Sequence, residues 1–234
     1  MSFLVCIQGL QKLTLLDFPG HVACTLFSHG CNFRCPYCHN AMLVTEEKSG
    51  DVFSDEEILS YLKKRKGILD GVCFTGGEPL IQKELPDFIR KVKELGFLVK
   101  LDTNGSFPER LKELVGEGLV DYVAMDIKNS LSKYGDTIDI KNFSTEKVEQ
   151  SIDFLIGSSI DFEFRTTIVA EYHTIQDIED IAKRIKGAKK YFLQNFVDSG
   201  NLIGENLHAV SKETLEKMRE TALKHLENVE IRGI

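Results

Sequence analysis

An α/β fold built on parallel strands is predicted by three observations. Short apolar runs rich in β-branched residues alternate with stretches of helical periodicity about six times along the 234 residues. The connections are too long for hairpins, so right-handed crossovers must join the strands. Residues able to do chemistry recur just after the strands, at the edge where parallel sheets and barrels bind ligands.

The elements follow in order. Strands are expected at His21 to Phe27, Gly71 to Thr75, Phe97 to Leu101, Val120 to Met125, Phe162 to Val169 and Tyr191 to Phe196. The first twenty residues read as a short strand pair or extension, and Val229-Glu230-Ile231 as a final strand. Ser54 with Glu57 three residues on is a capping-box pattern that starts a helix carrying Ile58, Leu59 and Leu62 on one face. Leu85, Phe88, Ile89, Val92 and Leu95 form a second stripe that stops at Gly96. Leu111, Leu114 and Val115 mark a third helix and Val148 to Ile156 a fourth. Ile178, Ile181, Ala182 and Ile185 mark a fifth, and Leu215, Met218, Ala222 and Leu226 the last. Six strand–helix units are fewer than the eight of a full barrel, so an open doubly wound sheet and a partial barrel both satisfy the periodicity.

Composition narrows the function. A hydrophobic content of 42% supports a substantial core, and one domain spanning residues 1–234 is expected, with 1–20 as an extension of 21–234. A formal charge of -7 without a basic stripe argues against nucleic-acid binding. The opening Met1 to Cys6 has no basic region before an apolar one, and no apolar run is long enough to span a bilayer. A cytoplasmic protein without membrane contact is therefore expected. The six cysteines do not pattern as a secreted disulfide scaffold, because three sit within eight residues. Cys6, Cys24 and Cys73 read as buried small hydrophobes.

The chemistry concentrates in Cys31-Asn32-Phe33-Arg34-Cys35-Pro36-Tyr37-Cys38-His39-Asn40. A C-x3-C-x2-C loop can place thiolates on three corners of an iron–sulfur cube and leave the fourth iron without a protein ligand. The competing reading is structural zinc with His39 as fourth ligand, but such sites pair two separated ligand couples and no second couple is present. After the next strand comes Thr75-Gly76-Gly77-Glu78-Pro79, then Asp102-Thr103-Asn104-Gly105, then Asp126-Ile127-Lys128, and Arg165 interrupts an apolar strand. Each has a plain alternative. Gly76 to Pro79 and Asp102 to Gly105 read equally as turns, Asp126 with Lys128 as a solvated pair, and Arg165 as a structural partner for a carboxylate.

Together, the cysteine loop with Tyr37 before its third cysteine and the Gly76-Gly77-Glu78-Pro79 run resemble the radical S-adenosylmethionine superfamily. The resemblance implies a partial (β/α)6 barrel with parallel strands, a [4Fe-4S] cluster on Cys31, Cys35 and Cys38, and S-adenosyl-L-methionine chelated at the open iron. Reductive cleavage of that cofactor to a 5′-deoxyadenosyl radical is the implied chemistry. It further implies that Glu78 and the Gly76 and Gly77 backbone receive the methionyl ammonium, with Asp102 beside them. Lys128 or Arg165 would face the carboxylate or ribose, Tyr37 the adenine, and Ile168 and Val169 its flank.

Asp17-Phe18-Pro19-Gly20, the cysteine loop, Asp102 to Gly105, Asp126 to Lys128 and Lys133-Tyr134 resemble the glycyl-radical enzyme activases within that superfamily. The likeness is closest to anaerobic ribonucleoside-triphosphate reductase activating proteins, whereas the length and six-unit pattern are similar to the pyruvate formate-lyase type. What this implies is hydrogen abstraction from a glycine Cα of a partner glycyl-radical enzyme, with Asp17 contacting the glycine loop and reduced flavodoxin or ferredoxin as electron donor. It also implies a monovalent cation near the cofactor carboxylate, held by Asp102, Thr103, Asp126 and the Met125 backbone. A radical enzyme acting on a small molecule is the alternative. For Asp17 the plain reading is an Asp-x-Pro-Gly turn.

Overall fold

The computed structural model describes residues 5–45 and 52–232. The first four residues of the expected N-terminal extension lie outside these. The chain divides into two compact units, the first comprising Met1–Asn32, Met42–Thr103 and Glu109–Val123, the second Phe33–Ala41, Asn104–Pro108 and Ala124–Ile234.

In the first unit, β1 (Ile7–Thr14) runs antiparallel to β2 (Ala23–Ser28), and β3 (Gly71–Gly76) and β4 (Leu98–Thr103) follow in parallel. The N-terminal extension is thus one edge strand paired with β2 rather than a strand pair of its own. Phe18-Pro19-Gly20-His21 makes the turn between them, with the His21 N–H donating to the Phe18 carbonyl at 3.1 Å and Gly20 at φ 79°. A short helix α1 (Ala41–Thr45) precedes α2 (Asp55–Lys63), and α2 begins on the expected Ser54–Glu57 capping box, both reciprocal bonds being present.

Helix α3 (Leu85–Glu94) buries Leu85, Phe88, Ile89 and Val92, and the Phe88 ring meets Phe74 of β3 edge-on at 6.1 Å. Burying each such side chain contributes about 1.5–3 kcal/mol. Because strand side chains alternate, Phe74 on the helix side sends Cys73 and Thr75 to the other face. The pairing of Thr25 with Cys73 and of Cys73 with Lys100 continues that face across β2, β3 and β4. Helix α4 (Pro108–Gly116) follows β4.

The strand β5 (Tyr122–Asp126) begins in the first unit and ends in the second. In the second unit β6 (Asp161–Ile168), β7 (Tyr191–Asn195) and β8 (Val229–Arg232) are parallel. Helices α5 (Tyr134–Thr137), α6 (Glu146–Gly157), α7 (Ile175–Arg184) and α8 (Lys212–Ala222) complete it. On β6, Phe162, Phe164, Thr166 and Ile168 are buried on one face, and Glu163, Arg165 and Thr167 alternate with them. Arg232 of β8 reaches Glu163 through two bonds at 2.8 and 3.1 Å and covers the Phe192 ring.

Strand order in the sheet follows chain order from β1 to β8, which makes β1 and β8 its edges. The fold is a mostly parallel α/β sheet with the six expected strands each within two residues of their expected bounds. No helix among the described residues is long and apolar enough to cross a membrane.

Candidate active site

The cysteine loop leaves β2 at Gly30, whose φ of 86° lets the chain turn. Cys31 and Cys38 are half-buried and Cys35 is buried, and all three are thiols rather than disulfides. Within the second unit the loop is tied down at several points. The Cys38 N–H donates to the Cys35 carbonyl at 3.0 Å, the Arg34 N–H to Ile138 at 3.1 Å, and the Gly204 N–H to Pro36 at 2.7 Å. Phe33 packs edge-on against Tyr134 and Phe143. His39 stacks on Phe196 and its Nε2 is bonded to the Val197 carbonyl at 2.8 Å, so that nitrogen is not available as a zinc ligand. Among the described residues no three His, Cys, Asp or Glu side chains are grouped to hold a metal ion.

The Gly76-Gly77-Glu78-Pro79 run closes β3 and enters a single 3-10 turn at Pro79–Ile81. Its glycines are required by packing. A β-carbon on Gly76, at φ 108°, would stand 2.5 Å from the Ser28 nitrogen, and one on Gly77 would stand 1.9 Å from the Gly30 carbonyl oxygen. At that approach the Gly77 N–H donates to Ser28 at 2.9 Å and the Glu78 N–H to Gly30 at 2.8 Å. The run is therefore a clamp on the residues before Cys31, which a plain turn would not be. Glu78 is 0% exposed. Its Oε1 accepts from the Leu80 N–H at 3.1 Å and from Thr103 Oγ1 at 2.8 Å, which joins the glycine run to the end of β4.

Asp102 and Thr103 end β4 and are followed by the connection to α4. Asp102 accepts from Thr75 Oγ1 at 3.2 Å and forms an ion pair with Lys100, which is 2% exposed. The Lys100 ammonium also lies 3.7 Å from Cys73 Sγ, and Cys73 in turn contacts the Asp17 carbonyl. Cys73 is buried as expected but belongs to this polar row. The Asp17 carboxylate accepts from Thr25 Oγ1 at 2.6 Å. It sits immediately before the Phe18–His21 turn rather than inside it.

In the second unit, Asp126 at the end of β5 receives Arg165 Nε at 2.9 Å and Lys128 Nζ at 3.0 Å. Burial works to raise the Asp126 pKa, but the two cations outweigh it and hold the carboxyl down at about 2. For Lys128 burial works to lower the pKa, and Asp126, Cys35 and Tyr37 outweigh it and hold the ammonium well above its ordinary range. Two cations on one carboxylate leave one net positive charge beside the cysteine loop. Tyr134 and His173 position Lys128 by its backbone. Tyr134 Oη accepts the Lys128 N–H at 3.3 Å, and His173 Nε2 donates to the Lys128 carbonyl at 2.8 Å while its Nδ1 accepts the Val169 N–H at 3.1 Å. Burial lowers the His173 pKa and favours that neutral form. Ile168 is fully buried at the end of β6, with Val169 next to it.

Residues 25–185 match the radical SAM superfamily. The chain belongs to that superfamily. It is 34% identical over 238 residues to a Methanocaldococcus jannaschii protein provisionally named a glycyl-radical enzyme activating enzyme, across 97% of this chain and 96% of that one. It is also 34% identical over 128 residues to the pyruvate formate-lyase-activating enzyme of Clostridium pasteurianum, across 53% and 52% of the two chains. In fold it is similar to Streptococcus suis SuiB bound to S-adenosylmethionine, at a TM-score of 0.68 and 12% identity, across 89% of this chain and 52% of that one. The chain is thus a radical SAM enzyme homologous to glycyl-radical enzyme activases, a family that uses a [4Fe-4S] cluster and S-adenosylmethionine.

The radical SAM side chains present suit those cofactors. The donor set offers three thiols on one anchored loop, and Tyr37 Oη is a buried polar atom without a hydrogen-bond partner among the described residues. The first unit gathers Gly76, Gly77, Glu78, Thr103 and Asp102, with Asp17 at the end of the row. The second gathers Cys35, Tyr37, Asp126, Lys128 and Arg165. Nothing in the motif pattern singles out Lys100 or His173. A lysine in the middle of a buried parallel strand was the available signal for Lys100, and a lone histidine carries almost none.

Proposed function

We propose that this protein activates a partner glycyl-radical enzyme by abstracting hydrogen from a glycine Cα. The observation that carries this reading is the anchored loop of three thiols, and the full-length likeness to a glycyl-radical enzyme activating enzyme supports it. When bound, the reduced cluster supplies the electron that splits S-adenosylmethionine. Cys31, Cys35 and Cys38 ligate the cluster, and Glu78 with the Gly76–Gly77 backbone receives the cofactor ammonium. The net positive charge of Arg165, Lys128 and Asp126 suits the cofactor carboxylate. Tyr37 offers its hydroxyl, unpartnered among the described residues, to the adenine, which Ile168 flanks. Asp17 meets the incoming glycine loop, and Leu15 and Leu16, 67% and 88% exposed beside it, form an apolar strip suited to a protein partner.

The whole chain acts as one radical SAM domain in the cytoplasm, reduced by a flavodoxin or ferredoxin. The finer motifs favour anaerobic ribonucleoside-triphosphate reductase as partner, and the pyruvate formate-lyase type is the second reading, favoured by the likeness to the Clostridium enzyme. The test is anaerobic reconstitution with iron and sulfide, reduction, and incubation with each glycyl-radical enzyme deuterated at glycine. Deuterium in 5′-deoxyadenosine and a glycyl-radical electron-spin signal are expected with the true partner. Cofactor cleavage without glycine deuterium transfer to any partner would point instead to a small-molecule substrate. Replacing any of Cys31, Cys35 and Cys38 by Ala is expected to abolish cleavage.

A further inference from the structure

We infer that the Lys100 ammonium is the resident cation of the Asp102 carboxylate, and that this chain therefore takes no monovalent metal ion there. The inference goes beyond the proposed activity and does not depend on the partner. The activase resemblance leads to an alkali cation on Asp102, Thr103, Asp126 and the Met125 backbone, and the three side chains do not suit one. Asp102 is ion-paired with Lys100 and accepts from Thr75 at 3.2 Å. Thr103 gives its hydroxyl proton to Glu78 at 2.8 Å. Asp126 is taken by Arg165 at 2.9 Å and Lys128 at 3.0 Å. Each of these three side chains already has a protein partner within its own unit.

The placement of Lys100 is built into the strand. Residues two apart on β4 share a face, so Lys100 and Asp102 project together, and the register sets Lys100 beside Cys73 and one step from Thr75. An ammonium 2% exposed cannot escape to water as a surface lysine does. The charge balance at Asp102 itself points the same way. Asp102 and Lys100 sum to zero, whereas an added alkali ion would bring a second positive charge beside an ammonium in a poorly solvated site. Lys100 is accordingly a positioning residue: it fixes the charge and rotamer of Asp102.

The test uses the full chain free of cluster, so its outcome is separate from that of the activity assay. Thermal unfolding is followed in choline chloride and then in KCl or NaCl at equal ionic strength, with saturable binding checked by thallium-205 resonance. The wild type is expected to show no preference among the three salts. Lys100→Met is expected to acquire one, with a midpoint rise of roughly 2–4 °C or more at saturating potassium or sodium over choline. Lys100→Met/Asp102→Asn, lacking both charges, is expected to lose that preference again. Saturable alkali-ion binding by the wild type would overturn the inference. So would indifference of Lys100→Met to the salt, or of Lys100→Gln if the methionine variant does not fold.

Discussion

Gly77 and Gly30 approach so closely that a β-carbon on Gly77 would lie 1.9 Å from the Gly30 carbonyl oxygen, one residue before the first cysteine of the loop. Two backbone hydrogen bonds, from Gly77 to Ser28 and from Glu78 to Gly30, hold this contact. The glycine run and the base of the cysteine loop are therefore one backbone unit. Gly77→Ala forces backbone from backbone, and nothing flexible is available to yield. A loss of more than about 2 kcal/mol is expected, together with fewer iron atoms per chain after reconstitution. Urea unfolding and iron analysis would check this, and an unchanged midpoint would show that the two segments are not coupled.

Glu78 accepts from Leu80 and Thr103 with its Oε1. Glu78→Gln keeps an acceptor and removes the charge, so the fold and the cluster are expected to persist. S-adenosylmethionine binding is expected to weaken by ~1–3 kcal/mol, the worth of a charge-assisted bond. Calorimetric titration of the reconstituted protein measures it, and unchanged affinity would remove Glu78 from the cofactor site.

Asp126 is the counter-charge that Lys128 and Arg165 share. Asp126→Asn leaves two cations facing each other. Because the Asp126 side chain is 31% exposed, the cost is expected at about 1–3 kcal/mol, below that of breaking a fully buried pair. Asp126→Asn/Arg165→Met is expected to recover part of it. Denaturant unfolding of the two variants decides, and no recovery would mean that the arginine is held by other contacts.

Asp177 caps α7 from within a capping box with Thr174 and also receives Lys133 at 2.7 Å and Ser130 at 3.0 Å. Burial works to raise its pKa, yet these donors hold it down at about 2 against an ordinary 3.8. The folded protein thus keeps the carboxylate ionised below the pH at which the unfolded chain takes up its proton. The resulting stability, on the order of 2 kcal/mol, is complete well above pH 4 and is lost as pH falls toward 2. Asp177→Asn is expected to lower stability at neutral pH and to flatten the acid limb between about pH 5 and 2. Unfolding free energy as a function of pH tests this, and a parallel shift of the whole curve would contradict it.

The extent to which the molecule could be read in advance follows from the range of the interactions. Strands at Gly71–Gly76 and Tyr191–Asn195, and the helix capped by Ser54, were legible because alternation, periodicity and capping act over a few residues. The α7 capping box is equally local, but its N3 residue is Asp177 rather than the Glu or Gln of the usual pattern. Asp102 to Gly105 reads equally as a plain turn because local turn chemistry does not report that the chain continues into α4, with Asn104 buried and bonded to Ser106. The cysteine triplet was legible as chemistry, since ligand spacing is itself a local property.

The amino-acid order alone determined the alternation of strands and helices, the thiol loop and the places where polar groups follow strands. Tertiary structure decided which charges are spent on one another. Lys100 meets Asp102 because they share one face of a buried strand. Arg165 meets Asp126 although the two are far apart in the chain, so neither periodicity nor composition could assign that pair. Ion pairing depends on distance in space and on exclusion of water, and those are set only when the sheet has formed.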